Sequence, residues 1–381
     1  MASDRSTNTR PGSGRPWVHI LACVLALGGV IAASYFLLPT VTSVSYGVET
    51  GTSTLKNLLP DILTPEPVVP TLDVEDYRRR LLALAQVATS SAYHAAFMAG
   101  TTTASSTPRW PARHVQEPNA GAILPFKRIV AYYGNFYSKQ MGILGEFDKE
   151  VVLEKLREEV KAWEEADPTT PVLPAIEYID VTAQGSAGKD GKYRLRMPDS
   201  QIDKALEYAR EINGIVILDI QVGLSSVQDE VPLIKDYLAR PDVHLAIDPE
   251  FDMYDGHEPG TVIGTTDAAT INWAIEYLSQ LVRDNNLPPK ILLLHRFTQD
   301  MITGYKQIKP TPEVQVIVQM DGWGSPQRKK NTYYHVVEPE PIQFTGVKLF
   351  YKNDLKEDPP RLLTKKEVLD LKPTPIFIQY Q

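Results

Sequence analysis

Cysteine is nearly absent from this 381-residue chain. The one residue, Cys23, lies in an apolar run near the N-terminus, so no disulfide can form in the remainder and that part must hold by core packing. Positive charge is not in excess either. Lys and Arg number 39 against 47 Asp and Glu, a formal charge of −8, which argues against a nucleic-acid partner, since that needs a basic face. There is no internal repeat of solenoid-like period. No HxH or HExxH spacing occurs, and no motif calls for a cofactor or a bound metal. What is present is ordinary for a globular protein: 43% hydrophobic and 23% charged residues, enough for a sizeable core, with 30 prolines.

Residues 17–38 (WVHILACVLALGGVIAASYFLL) carry no acidic, Lys or Arg side chain. At ~1.5 Å per residue such a run spans a hydrocarbon core of ~30 Å, which predicts a transmembrane helix. Arg5, Arg10 and Arg15 precede it and favour a cytoplasmic tail over residues 1–16, with the rest of the chain outside the cell membrane as a single-pass protein. A cleaved signal peptide ending near Ala32 and Ala33 is the rival reading, but the run is long for one. Ile20-Leu21-Ala22-Cys23 loosely matches a lipobox, yet the apolar stretch follows the cysteine instead of preceding it. Residues 39–122 are rich in Thr, Ser and Pro and read as a linker. Within it, 73–98 begins with acidic residues and places Tyr77, Leu81, Leu84 and Val87 at helical spacing. That predicts a short amphipathic helix, either a stalk or docked on the following domain.

From residue 123 the pattern changes. Short apolar runs at 128–133, 174–179, 215–222, 243–250, 291–297, 314–321, 346–351 and 375–380 are separated by helical patterns such as 149–165, 200–212, 227–238 and 268–285. Alternation of this kind implies a parallel sheet covered by helices, and eight units over about 250 residues match an α/β fold of the (β/α)8 TIM barrel type. A doubly wound open sheet would need a Gly-rich phosphate turn after its first strand, where Tyr132-Tyr133-Gly134-Asn135 stands instead.

Side chains alternate between the two faces of a strand. Val216, Leu218 and Ile220 share one face, opposite Ile217, Asp219 and Gln221; Val243, Leu245 and Ile247 lie opposite His244, Ala246 and Asp248. The inward set turns polar as the strands end, giving Glu177, Asp219, Gln221, Asp248, Glu250, His295, Gln319, Asp321, Lys348 and Gln379. Barrel active sites sit at that mouth, and a structural ion pair such as Lys348 with an aspartate would account for only part of so many polar groups. Asp248-Pro249-Glu250 is the most informative element. On an extended strand its two carboxyls face one way, and like charges split their pKa values so that one can keep a proton. Glycoside hydrolysis needs such an acid and a partner carboxylate. The aromatics Tyr132, Tyr133, Tyr137, Phe251, Tyr254, Trp323, Phe350 and Tyr351 surround the mouth and suit the apolar faces of sugar rings.

An inward Asp-x-Glu ending the fourth strand resembles the barrels of the glycoside hydrolase family 18 chitinases and family 25 lysozymes. Of the chitinase pattern D-x-x-D-x-D-x-E, Asp248 and Glu250 match the last two members, while Val243 and Ala246 occupy the earlier acidic positions. Gln319-Met320-Asp321 is distantly similar to the chitinase Met-x-Tyr-Asp, and Ile129-Val130-Ala131-Tyr132 lacks the first-strand aspartate of the lysozymes. The chain also resembles bacterial surface or secreted barrel proteins of no assigned activity. The resemblance implies Glu250 as the acid and Asp248 as its orienting partner, and leaves Asp219 and Asp321 as candidates for nucleophile or base. Glu177, Gln221, His295, Gln319, Trp323, Lys348, Tyr132 and Gln379 are expected to contact a polysaccharide or oligosaccharide. Two other classes stay open: a non-catalytic barrel that binds a glycan or a protein, and a metal-dependent hydrolase drawing on His295, His257 and His244.

Overall fold

A computed structural model describes residues 71–101, 108–112 and 115–381. The expected cytoplasmic tail and transmembrane helix, 1–16 and 17–38, lie outside the described residues, as does the first part of the linker. Among the described residues no helix is long and apolar enough to cross a membrane.

Eight parallel strands form the ring of the sheet: β1 (Arg128–Gly134), β2 (Val172–Ala183), β3 (Ile215–Ile220), β4 (Val243–Ile247), β5 (Lys290–Arg296), β6 (Val314–Met320), β7 (Phe344–Leu349) and β8 (Phe377–Tyr380), with the short strand Arg194–Arg196 added antiparallel to β2. Each pairs with its neighbours in sequence, and β1 pairs with both β2 and β8, so the ring closes into an eight-stranded α/β barrel. All eight apolar runs of the sequence become strands. Closure removes every sheet edge within the ring.

Two cores follow from the alternation. Val216, Leu218, Ile220, Val243, Leu245 and Ile247 face outward and pack under helices such as Lys149–Ala166, Asp199–Glu211 and Ala268–Asn285. Inside, Ile129, Ala131, Ala175, Ile217, Ala246, Leu293 and Ile317 fill the lower barrel. The predicted helix over 227–238 is interrupted. Pro232 lacks an amide hydrogen, and Val231–Ile234 winds as a 3₁₀ turn between two helical turns.

The 73–98 segment forms two helices, α1 (Val74–Leu84) and α2 (Ala92–Met98). Asp73 caps the first through the Asp76 amide, and Ser91 caps the second through the His94 amide. Helix α1 docks on the floor of the barrel. Tyr77 and Leu82 are 2% and 1% exposed, and Tyr77 joins the inner core with Leu124 and Phe377. The inward Gln315 bonds the Leu124 backbone twice, at 3.0 and 2.7 Å, and so fixes the segment that enters β1. Leu82→Ala should therefore lower the unfolding free energy by about 3 kcal/mol, a typical cost of a core cavity. Chemical denaturation checks this; a loss under about 0.5 kcal/mol would mean that α1 merely rests on the barrel.

Candidate functional site

The C-terminal mouth of the barrel gathers the inward polar set into one network. His295, last but one in β5, is fully buried and bonds in two directions. Its Nδ1 donates to Asp321 Oδ2 at 2.8 Å and its Nε2 to Glu177 Oε1 at 3.0 Å, with Asp219 Oδ1 at 3.8 Å. Gln379 of β8 donates to the other Glu177 oxygen and accepts from Gln319 at 2.9 Å. Lys348 of β7 reaches Asp321 Oδ1 at 3.1 Å and lies 3.9 Å from the centroid of the Tyr133 ring. The Tyr133 hydroxyl donates to Asp219 Oδ2 at 2.8 Å. Gln221 donates to the Tyr133 oxygen and to Asp248 Oδ2, both at 3.3 Å. Residues from all eight strands or the turns that follow them thus meet, which barrel closure allows.

The Asp248-Pro249-Glu250 element departs from the extended geometry expected of it. Strand β4 ends at Ile247, and Pro249–Phe251 forms a 3₁₀ turn. Asp248 caps that turn by accepting the Glu250 amide at 3.1 Å, while Pro249, in the first turn, has no amide to leave unsatisfied. The turn swings Glu250 out of the buried layer to a half-buried position. Gly264 folds back over it and donates its amide to the Glu250 carbonyl at 2.8 Å; a Cβ at Gly264 would stand 2.5 Å from the Pro249 carbonyl oxygen.

Five carboxyls (Glu177, Asp219, Asp248, Glu250 and Asp321) share the mouth with two cations, His295 and Lys348. Full ionisation would leave three uncompensated negative charges out of water, so protons must stay on some of them. Burial opposes charge on His295, but Asp219, Asp321 and Glu177 outweigh it and hold the imidazolium well above the ordinary histidine pKa. Asp321 is buried too, yet Lys348 and His295 keep it below the ordinary carboxylate range. Burial raises Asp219 to about 7, against the pull of His295, and also raises Asp248. Burial, then the charges of Asp248 and Asp321, push Glu250 up to about 8. The Glu250 carboxyl has no hydrogen bond or ion pair among the described residues, unlike the other four.

Several expected site residues belong elsewhere. Tyr132 lies on the outer face of β1, 1% exposed, where its hydroxyl meets that of Tyr351 at 3.2 Å and its ring packs on Tyr380. Tyr351 shares that outer layer. The inward residue is Tyr133, opposite Glu177 in the β1–β2 register. Of the described histidines, only His295 is at the network. His244 sits lower, accepting the Ile291 amide at 3.0 Å, and burial holds it neutral. His257 is on an exposed loop beside Asp255. Among the described residues no group of three or more His, Cys, Asp or Glu side chains is placed to hold a metal ion. Trp323 follows β6 in a loop, 37% exposed, with Arg328 and Lys356 at 5.6 and 5.9 Å from its ring. Buried Lys329 ties this loop down through the Gly322 carbonyl at 2.8 Å and Asp354 at 3.1 Å. Tyr137 and Tyr254, in the loops after β1 and β4, are 66% and 77% exposed.

No family model matches the chain, and no curated protein does. Among solved structures it is similar to dihydropteroate synthase from Burkholderia cenocepacia complexed with 7,8-dihydropteroate, at 11% identity and a TM-score of 0.33, over 68% of this chain and 86% of that one. It is also similar to GH26C from a Muricauda species, at 10% identity and a TM-score of 0.28, over 66% of this chain and 70% of that one. At that distance neither says anything of the chemistry of this chain.

Proposed function

We propose that the barrel hydrolyses a glycosidic bond in a cell-surface polysaccharide, with Glu250 as the proton donor. One observation carries the reading: Glu250 is the carboxyl at the mouth without a partner among the described residues, and it is half-buried and held protonated to about 8. A general acid needs a proton at working pH and an unobstructed path to the leaving oxygen. Asp248 holds the turn that presents Glu250 and adds to its pKa. Asp321, kept ionised by Lys348 and His295, is the carboxylate to stabilise or attack the sugar cation that develops. Trp323, Tyr137 and Tyr254 supply exposed aromatic faces for sugar rings. Glu177, Asp219, His295, Gln319 and Gln379 brace the floor of the site instead of contacting substrate.

A non-catalytic glycan-binding barrel is the second reading. Its support is the deep network, in which Glu177, His295, Gln319 and Gln379 spend most of their bonds on one another. The test is a screen of the wild-type protein against peptidoglycan, chitin-type oligosaccharides and α- and β-glucans, reading new reducing ends and, separately, binding. Cleavage supports the hydrolase. Binding without cleavage, equal in Glu250→Gln, supports the second reading.

Membrane attachment through residues 17–38, with the barrel outside the cytoplasm, belongs to the same proposal and rests on Arg5, Arg10 and Arg15 before the apolar run. Protease added to intact cells should then remove the barrel and spare a cytoplasmic control. A barrel protected along with that control would reverse the orientation.

A further inference from the structure

At the opposite end of the barrel from Glu250 lies a cavity of about 420 Å³, between α1, the start of β1 and the loop that leads into β2. Arg79, Arg80 and Arg128 line it. Arg128, the first residue of β1, is 1% exposed. Its Nη2 donates to Asp167 at 3.0 Å, and its guanidinium lies 5.4 Å from the Trp163 ring, which fixes its plane. Its Nε and Nη1 are buried and have no partner. A charged guanidinium is rarely left with two of its nitrogens unmet away from water, because each forfeits the bonds that water gave it.

The surrounding charge is also unbalanced. Arg79 and Arg80 both pair with Asp76, and Asp167 is shared by Arg128 and the Thr169 hydroxyl. The three guanidiniums that line the cavity therefore share two carboxylates, Asp76 beside it and Asp167 in its wall, which leaves one positive charge in a chain whose formal charge is −8. Arg79 keeps a mostly exposed side chain at the entrance.

We infer that this floor cavity binds a phosphoryl oxyanion, held by Arg128 from within and by Arg79 and Arg80 at the rim. Guanidinium donors in a fixed fork match the tetrahedral oxygens of phosphate, and one net positive charge suits a phosphate diester or the monoanion of a monoester. The site is separate from the proposed hydrolytic centre, and nothing in its argument depends on that centre.

The test uses the folded protein and inorganic phosphate at constant ionic strength, with chloride as the reference. The Nε–Hε resonance of Arg128 should shift saturably with phosphate in the roughly millimolar range or tighter. Arg79→Ala, which alters an exposed side chain, should weaken binding about tenfold, and Arg128→Lys should abolish the saturable response. If Arg128→Lys fails to fold, Arg79→Ala carries the test alone. A second arm sediments the protein with phosphatidylglycerol vesicles and with neutral phosphatidylcholine vesicles. Arg79-dependent capture by the anionic vesicles without a response to free phosphate would assign the oxyanion to a lipid headgroup. A phosphate response without such capture would assign it to a soluble ligand. No saturable response in either arm, or responses unchanged in Arg79→Ala, would overturn the inference.

Discussion

Glu250→Gln is expected to lower turnover of a cleaved glycan by at least ~10²-fold while binding survives, because glutamine keeps the shape and hydrogen-bonding capacity of the side chain and loses the proton. The wild-type rate should fall as pH rises through about 8, where Glu250 loses that proton. Asp248→Asn should move this alkaline limb to lower pH, since it removes a like charge, and it should move only part of the way, because burial is the larger cause of the shift. Stability gives an independent reading of the same group. A carboxyl whose pKa is raised on folding binds more protons folded than unfolded, so its contribution declines as pH rises from its ordinary value of 4.5 to about 8. Glu250→Gln removes that decline and should make the protein more stable than wild type at pH 9, by about 1–3 kcal/mol once screening of a half-buried group is allowed for. An alkaline limb and a stability difference that ignore Glu250 would exclude it as the acid.

His295→Ala should cost about 4 kcal/mol of unfolding free energy, the range for removing one partner of a buried ionic network. Its imidazolium is the common partner of Glu177 and Asp321 and lies close to Asp219, and alanine leaves these carboxyls facing each other around a cavity. They would respond by taking up protons, so the deficit should be largest at pH 8 and smaller at pH 5. Urea denaturation at the two pH values measures it. A loss below about 1 kcal/mol at pH 8 would show that the network does not depend on a charged histidine.

The barrel was legible because its strands repeat one pattern. In β3 and β4 the outward Val216, Leu218, Val243 and Leu245 oppose inward residues that turn polar at Asp219 and Asp248, a pattern that a closed parallel sheet with a polar mouth accommodates. The phase of β1 was not legible. Arg128–Gly134 is apolar on both faces near its end, so its pattern does not say which of two adjacent tyrosines points inward; Tyr132 is the one expected at the site from sequence, and the register with Glu177 sets Tyr133 there instead. The turn at Asp248-Pro249-Glu250 had a signal, an aspartate cap followed by proline, which also describes the start of a helical turn. The break after Leu84 has a signal in Ser91, a capping residue inside the segment that periodicity predicts as one helix. The pairing of Glu177 with His295 joins residues 118 apart. Periodicity places each on an inner face but carries no information on which strand faces which across a barrel.

The account turns on a protonated Glu250 at neutral pH, and a ¹³C NMR titration of its side-chain carboxyl, assigned by loss of the signal in Glu250→Gln, measures that directly. The expected midpoint is about 8. A midpoint near the ordinary glutamate value of 4.5 would leave the mouth without a proton donor at neutral pH and contradict the proposed acid catalysis.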